Sequence, residues 1–198
     1  PWGFTADGDV TNDPFYYGSI FAPGYRAQRI ETRLGELIAA APVTIEDMKA
    51  LQMDTASTLA DNLLPILTAA IERDAASQTP QYMGDENLND LVDQLRSWDR
   101  RMDRDSTGAL AFHTLLHRVS AQVLGDDLGV IYDFAIELQT NFVLKIADLA
   151  LRGEYHSDGV VQDGVDASLL KAAQATAEIL VTAYGGVDAT TWGAVKAT

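Results

Sequence analysis

The sequence contains no cysteine among its 198 residues. Disulfide frameworks, thiol nucleophiles and cysteine-ligated zinc or iron–sulfur sites are therefore excluded for this chain. Basic residues are also scarce, since 14 Lys and Arg stand against 29 Asp and Glu and give a formal net charge of −15. Such a charge repels phosphate backbones and anionic lipid surfaces, so we expect no nucleic-acid partner and no membrane partner.

Long apolar runs, proline and glycine are sparse as well. No uninterrupted apolar run approaches the roughly 18 residues that a membrane-spanning helix needs. With 6 prolines, 15 glycines and 47% hydrophobic residues, the composition is typical of a soluble globular protein rather than a collagen-like or disordered chain. The sequence starts at Pro1 without a basic or apolar leader, so we expect a processed chain or an excised piece.

The first 24 residues differ from the rest of the chain. Glycine and proline interrupt every helical period there, and aromatic residues cluster between Phe15 and Phe21. This pattern predicts an irregular lead segment over residues 1–24, followed by one helical domain over residues 25–198.

Apolar residues recur at helical spacing from residue 25 onward, and no segment alternates with a period of two. Thr44 and Ser106 are typical helix N-caps, and Gly125 and Gly185 are typical helix stops. The pattern predicts an irregular all-α fold of about six to eight helices. The segment near Leu128 to Arg152 is apolar on most faces, which predicts the central helix of the core, and residues 153–165 are expected to be a loop.

Few residues suggest chemistry. His113 and His117 have the spacing of two zinc ligands, but no third ligand can be named, so a pair of surface or helix-boundary histidines is the favoured interpretation. No G-x-S-x-G elbow and no G-x-x-x-x-G-K loop is present. One acidic stretch offers oxygen ligands for calcium without the EF-hand register: Asp7, Asp9, Asn12 and Asp13. We therefore expect no catalytic centre and no metal site, with calcium left open.

Three arginines, Arg26, Arg29 and Arg33, share a face of the first predicted helix. A guanidinium can clamp a carboxylate or orient a polar side chain through its fork of donors. The alternative in so acidic a chain is a structural ion pair with a neighbour such as Glu31 or Asp47.

Five segments carry a family resemblance through their order and spacing over nearly the whole chain. They are the Asp-rich lead with Asn12-Asp13-Pro14, Pro23-Gly24-Tyr25-Arg26-Ala27-Gln28-Arg29-Ile30, Thr44-Ile45-Glu46-Asp47-Met48 with Leu51-Gln52-Met53-Asp54, Trp98-Asp99 with Met102, Asp105 and Ser106, and Tyr184-Gly185 with Trp192-Gly193. Together they resemble the helical portion of the β-subunit in the penicillin amidase (penicillin acylase) family, whose relatives include the acyl-homoserine-lactone and cephalosporin acylases.

The resemblance implies an N-terminal-nucleophile hydrolase, in which a serine exposed by self-cleavage attacks an amide carbonyl. An asparagine side chain helps to form the oxyanion hole. Because this chain begins with Pro1, the resemblance implies that both residues lie outside it, that no catalytic residue lies within it and that the isolated chain is inactive.

The resemblance also implies roles for residues that are present. The arginine that orients the asparagine in relatives matches Arg29, with Arg26 as the alternate, and Phe21 matches the substrate pocket. The family's calcium-binding aspartate has no clear equivalent near Gly18 and Ser19, so no metal or cofactor is expected.

The partners implied are the rest of the parent acylase, with its catalytic sandwich and α-subunit, and a small-molecule acyl amide. That substrate is a β-lactam side-chain amide or an acyl-homoserine lactone, and the implied location is periplasmic or extracellular. The alternative from another class of protein is a free-standing acidic helical module that binds a protein partner.

Overall fold

A computed structural model describes residues 24–82 and 84–196, and within these ranges the chain is helical, as the periodicity predicts. The helices are α1 Tyr25–Ala40, α2 Ile45–Gln52, α3 Thr58–Ala75, α4 Glu86–Ser97, α5 Thr107–Leu128, α6 Tyr132–Leu151, α7 Asp158–Asp163, α8 Val165–Tyr184 and α9 Trp192–Lys196, with a 3-10 helix at Gly129–Ile131. No strand occurs in the described ranges, where a single β-bridge pairs Ala56 with Arg101. The all-α fold is confirmed.

Local hydrogen bonds explain where several helices begin and end. The Thr44 hydroxyl accepts from the amide of Asp47 at 3.2 Å, and the Asp47 carboxylate accepts from the amide of Thr44 at 2.9 Å. These reciprocal bonds form a capping box at the start of α2. Ser106 caps α5 through the amide of Ala109, and Gly185, with a φ of 88°, ends α8. These three predicted helix boundaries are confirmed, whereas the stop predicted at Gly125 was wrong, because α5 continues through it to Leu128.

Helix α7 lies in residues 153–165, which the sequence analysis expected to be a loop. The helix has only six residues, from Asp158 to Asp163, and Ser157 caps it through the amide of Val160. So short a helix has too few turns for its apolar residues to show a period, which is why the pattern did not reveal it.

The central helix is α5, which packs against α4, α6, α7, α8 and α9. Its residues Phe112, Leu115 and Val123 are almost completely buried. The prediction that residues 128–152 form the central helix was wrong, because α6 leaves Phe134 and Leu138 more than half exposed, at 64% and 59%. The apolar composition of a helix indicates how much of its surface should be buried, but the neighbouring helices decide which part of that surface is buried.

Helix α5 begins against the indole of Trp98. A Cβ atom added at Gly108 would lie 2.4 Å from Trp98 Cγ, whereas one added at Gly125 meets nothing within 4 Å. We expect Gly108→Ala to destabilise the chain by about 1–3 kcal/mol through overpacking. The matched change Gly125→Ala, in the same helix, should stabilise it by about 0.5–1 kcal/mol. Urea unfolding midpoints compare the two variants, and equal midpoints would contradict the close approach at Trp98.

No helix of the described residues has both the length and the hydropathy needed to cross a bilayer.

Candidate functional site

Two of the three predicted arginines on α1 bind the end of α2 and the segment that follows it. Arg29 Nε donates to Asp54 Oδ2 at 2.6 Å. Arg26 donates through Nη1 to the carbonyl of Asp54 at 2.8 Å and through Nη2 to the carbonyl of Leu51 at 3.1 Å. Arg33 instead pairs with Glu36 on the surface of α1 at 2.8 Å. The structure therefore brings Arg26 and Arg29 together and leaves Arg33 apart.

The ion pair of Arg29 differs from the one that the sequence suggested. Its partner is Asp54, 25 residues away. Asp47, one of the two suggested partners, instead closes the capping box with Thr44. Spacing along the chain pointed to near neighbours, but the turn after α2 brings a more distant carboxylate to the guanidinium.

Asp54 is the most buried member of this cluster, with its side chain 7% exposed. Its Oδ1 accepts from the amide of Ala56 at 3.1 Å and from Nη1 of Arg101 at 3.3 Å. Burial by itself raises the pKa of Asp54, but the Ala56 amide and the guanidinium of Arg29 outweigh it and hold this pKa below its usual range. The carboxylate is therefore a fixed negative charge between two guanidinium groups.

The loop that supplies Arg101 is held against the Asp54 segment by backbone hydrogen bonds. Ser57 donates to the carbonyl of Arg100 at 2.9 Å, and Met102 donates to the carbonyl of Thr55 at 3.0 Å. Arg100 has a φ of 62°, the only positive φ of a non-glycine residue in the described ranges. That conformation costs about 1–3 kcal/mol. We call the paired segments 54–57 and 98–103 the two-loop clamp.

A second buried carboxylate fixes the beginning of α1. The Tyr25 hydroxyl donates to Asp148 Oδ2 at 2.5 Å, and the Tyr25 ring lies 4.9 Å below Lys145 Nζ. Arg152 also reaches Asp148, at 3.2 Å, and the Asp148 side chain is only 2% exposed. Burial, followed by the hydrogen bond to Asp148, raises the pKa of Tyr25 far above its usual value, so the hydroxyl stays protonated and donating. Helix α1 is thus anchored although none of its residues is buried.

The predicted histidine pair is a packing feature. The rings of His113 and His117 lie 4.7 Å apart, and His113 lies 4.3 Å from the ring of Trp192. No group of three or more His, Asp or Glu side chains in the described ranges could hold a metal ion. The lead segment, with Phe21 and the calcium candidates Asp7, Asp9, Asn12 and Asp13, lies outside the described residues.

A shallow apolar groove of about 420 Å³ lies beside α6. Its lining includes Leu128, Phe134, Leu138, Phe142 and Tyr155, and its one acidic residue is Asp127. This surface was not predicted from the sequence, because the apolar residues of the segment 128–152 were expected to lie in the core. Among the described residues, no nucleophile with an adjacent base lines the groove, and the side chains that do line it offer apolar contact area.

Sequence reasoning also missed Arg101 and Asp148, which neither motif nor spacing distinguished from the many other charged residues. Asp54 had a signal, because it ends one of the segments that carry the family resemblance. The partners of all three residues became visible only when distant segments were brought together.

Comparison with known proteins bears directly on that resemblance. The sequence model of the penicillin amidase family matches residues 2–198 and so includes α1, the arginine pair and the two-loop clamp. A search of curated proteins found no match. Because the family match extends over nearly the whole chain, this chain belongs to the penicillin amidase family.

Proposed function

We propose that this chain is the helical part of an N-terminal-nucleophile amide hydrolase of the penicillin acylase type. Membership of the penicillin amidase family, over residues 2–198, is the observation that carries the proposal. In such an enzyme a serine hydroxyl attacks the amide carbonyl, the serine α-amino group takes up the proton, and water then releases the acyl group. The proposed substrate is a small acyl amide, either a β-lactam side-chain amide or an acyl-homoserine lactone.

Within this proposal, Arg29 orients the asparagine of the oxyanion hole. A guanidinium has five N–H donors, and the hydrogen bonds of Arg29 to described residues use only its Nε–H. The Nη edge can therefore donate to the asparagine carbonyl, so that the asparagine N–H faces the developing oxyanion. Asp54 keeps the guanidinium in place from the opposite edge.

Arg26 is the alternate for this role, but its contacts leave it fewer donors for the asparagine than Arg29 has. Its Nη1 already donates to the carbonyl of Asp54, and its Nη2 donates to the carbonyls of Leu51 and Gln52 at the end of α2. These carbonyls carry the negative end of the helix dipole, so a cation there stabilises α2. We therefore propose that Arg26 holds α2 against α1, while Arg29 faces the asparagine.

The proposed partner of the chain is the rest of the acylase. Helix α1 buries none of its residues, and a series of large apolar side chains on α1, α2 and their flanks is exposed. The members of that series are Ile38, Val43, Ile45, Met48 and Met53. Contact with the catalytic sandwich would cover apolar surface beside the arginine pair. Phe21 at the acyl pocket and a periplasmic or extracellular location stay predictions from the resemblance.

The alternative function, a free-standing acidic interaction module, is favoured by the apolar groove beside α6, because exposed apolar patches of this kind mark contact sites. An enzyme part and a free module both bury such surface against a partner. The family match favours the enzyme.

Hydrolysis assays on the full-length acylase and on isolated residues 1–198 test the proposed function. We expect the full-length enzyme to cleave phenylacetyl or long-chain acyl amides and the isolated chain to remain at background, because we propose that the serine and the asparagine come from outside the chain. Turnover by the isolated chain would contradict the proposal if it survives repurification and is abolished by a substitution within residues 1–198. A full-length enzyme that cleaves no acyl amide would contradict it as well.

A further inference from the structure

Asp54 joins three separate parts of the chain. It lies in the segment after α2. Its Oδ2 accepts from Arg29 on α1, and its Oδ1 accepts from Arg101 in the loop between α4 and α5. Among the ion-paired carboxylates of the described residues, only Asp148 is more buried, since the side chains of Asp54 and Asp148 are 7% and 2% exposed. Exposed ion pairs elsewhere, such as Arg73 with Asp166, join only two helices and have side chains 57% and 40% exposed.

The two oxygens of Asp54 have different partners, and this division fixes the carboxylate independently of Arg29. The amide of Ala56 and Nη1 of Arg101 both bind Oδ1, at 3.1 and 3.3 Å. Oδ2 is thereby directed at Arg29 Nε, 2.6 Å away. A guanidinium is planar, so an acceptor fixed at Nε limits the directions in which the Nη donors can point.

The two-loop clamp keeps Arg101 at this carboxylate. Arg101 Nε also reaches Asp103 Oδ2 at 3.4 Å, and the carbonyl of Arg101 accepts from the Trp98 indole at 3.0 Å. The positive φ of Arg100 lies within the same loop. Strained backbone persists where the surrounding contacts enforce it, and such positions cluster at functional sites.

We propose that Asp54 is a positioning residue for Arg29 and that the two-loop clamp, through Arg101, holds Asp54 in register. The inference rests on the proposed role of Arg29 in orienting the oxyanion asparagine. Asp54 touches neither substrate nor reacting atoms, and it acts only through the direction of the guanidinium. A displacement of about 1 Å in such a supporting group can cost about 100-fold in rate.

Single-turnover acylation by the full-length acylase tests the inference, with rate constants expressed per folded enzyme. Asp54→Asn preserves the shape of the side chain but removes the charge that fixes Arg29, and we expect acylation to slow by about 10- to 100-fold. Asp166→Asn is the matched control, because it breaks the 2.5 Å pair with Arg73 on other helices. Acylation by the control variant should be unchanged.

The double variant of Asp54→Asn with Arg29→Lys separates positioning from simple stability. If Asp54 acts through Arg29, the double variant is no slower than Arg29→Lys alone, because the group that Asp54 positions is already lost. If the rate losses of the two single variants multiply in the double variant, the inference is overturned. If Asp54→Asn yields no folded enzyme, Arg101→Gln replaces it in the same comparison. The inference is then overturned if Arg101→Gln slows acylation by the same factor in the Arg29→Lys variant as in the wild-type enzyme.

The same experiment distinguishes the two levels of the proposal. Slow acylation by Arg29→Lys together with normal acylation by Asp54→Asn refutes only the positioning role. Normal acylation by Arg29→Lys refutes the role proposed for Arg29, and the positioning role falls with it.

Discussion

Replacing Arg29 with lysine in the full-length acylase is expected to lower the acylation rate constant by about 10- to 1,000-fold, since the loss of one oxyanion-hole donor typically costs about 100- to 1,000-fold. A lysine ammonium can still pair with Asp54, but it has no planar fork with which to hold an asparagine carbonyl at the same time. Folding and self-cleavage should remain largely intact. Single-turnover acylation and the melting temperature, measured on the same preparation, report the two effects separately.

Arg33→Lys is the matched control for this prediction. Arg33 lies on the same helix and pairs with Glu36 at the surface, so its replacement should leave acylation unchanged. Normal acylation by Arg29→Lys with a lowered melting temperature would reduce Arg29 to the structural partner of Asp54. Slow acylation by Arg26→Lys but not by Arg29→Lys would assign the role to the alternate arginine.

The largest expected effect on stability comes from the centre of α5. Phe112 is 1% exposed, and its ring lies 5.2 Å from that of Trp98. Phe112→Ala removes a buried ring and leaves a cavity, so we expect it to lower the free energy of unfolding of the 198-residue chain by about 3–5 kcal/mol. Urea unfolding followed by the helical circular dichroism signal measures this loss.

Phe134→Ala is the control, because the same side chain on α6 is 64% exposed. Its replacement should change the free energy of unfolding by no more than about 0.5 kcal/mol. Comparable losses in the two variants would contradict the assignment of α5, rather than α6, as the central helix.

The features that could be predicted from sequence are those set by neighbouring residues. The capping box links Thr44 to Asp47, three positions along the chain, and the left-handed conformation of Gly185 depends on the absence of its own Cβ. Helical periodicity likewise repeats within one or two turns, so the all-α fold could be predicted from it. The family could be recognised because its motifs occur along the chain in order.

The candidate site was only partly predictable. The arginine face of α1 follows from helical spacing, but the partner of Arg29 lies 25 residues away and the Asp54 to Arg101 contact spans 47 residues. A sequence with 29 acidic residues offers many equivalent partners for each arginine. Only the packing of α1 against α3 and the pairing of the two loops select one of them.

The sequence by itself therefore determined the longer helices, the caps at Thr44 and Ser106, the arginine face and the family, because local hydrogen bonds and side-chain spacing encode each of these. The tertiary structure decided which apolar helix is central and which carboxylate binds Arg29. Burial of α5 rather than α6, and of Asp54 rather than a nearer acid, depends on which distant segments come together. Which distant segments come together depends on the whole fold, because each helix packs against several others.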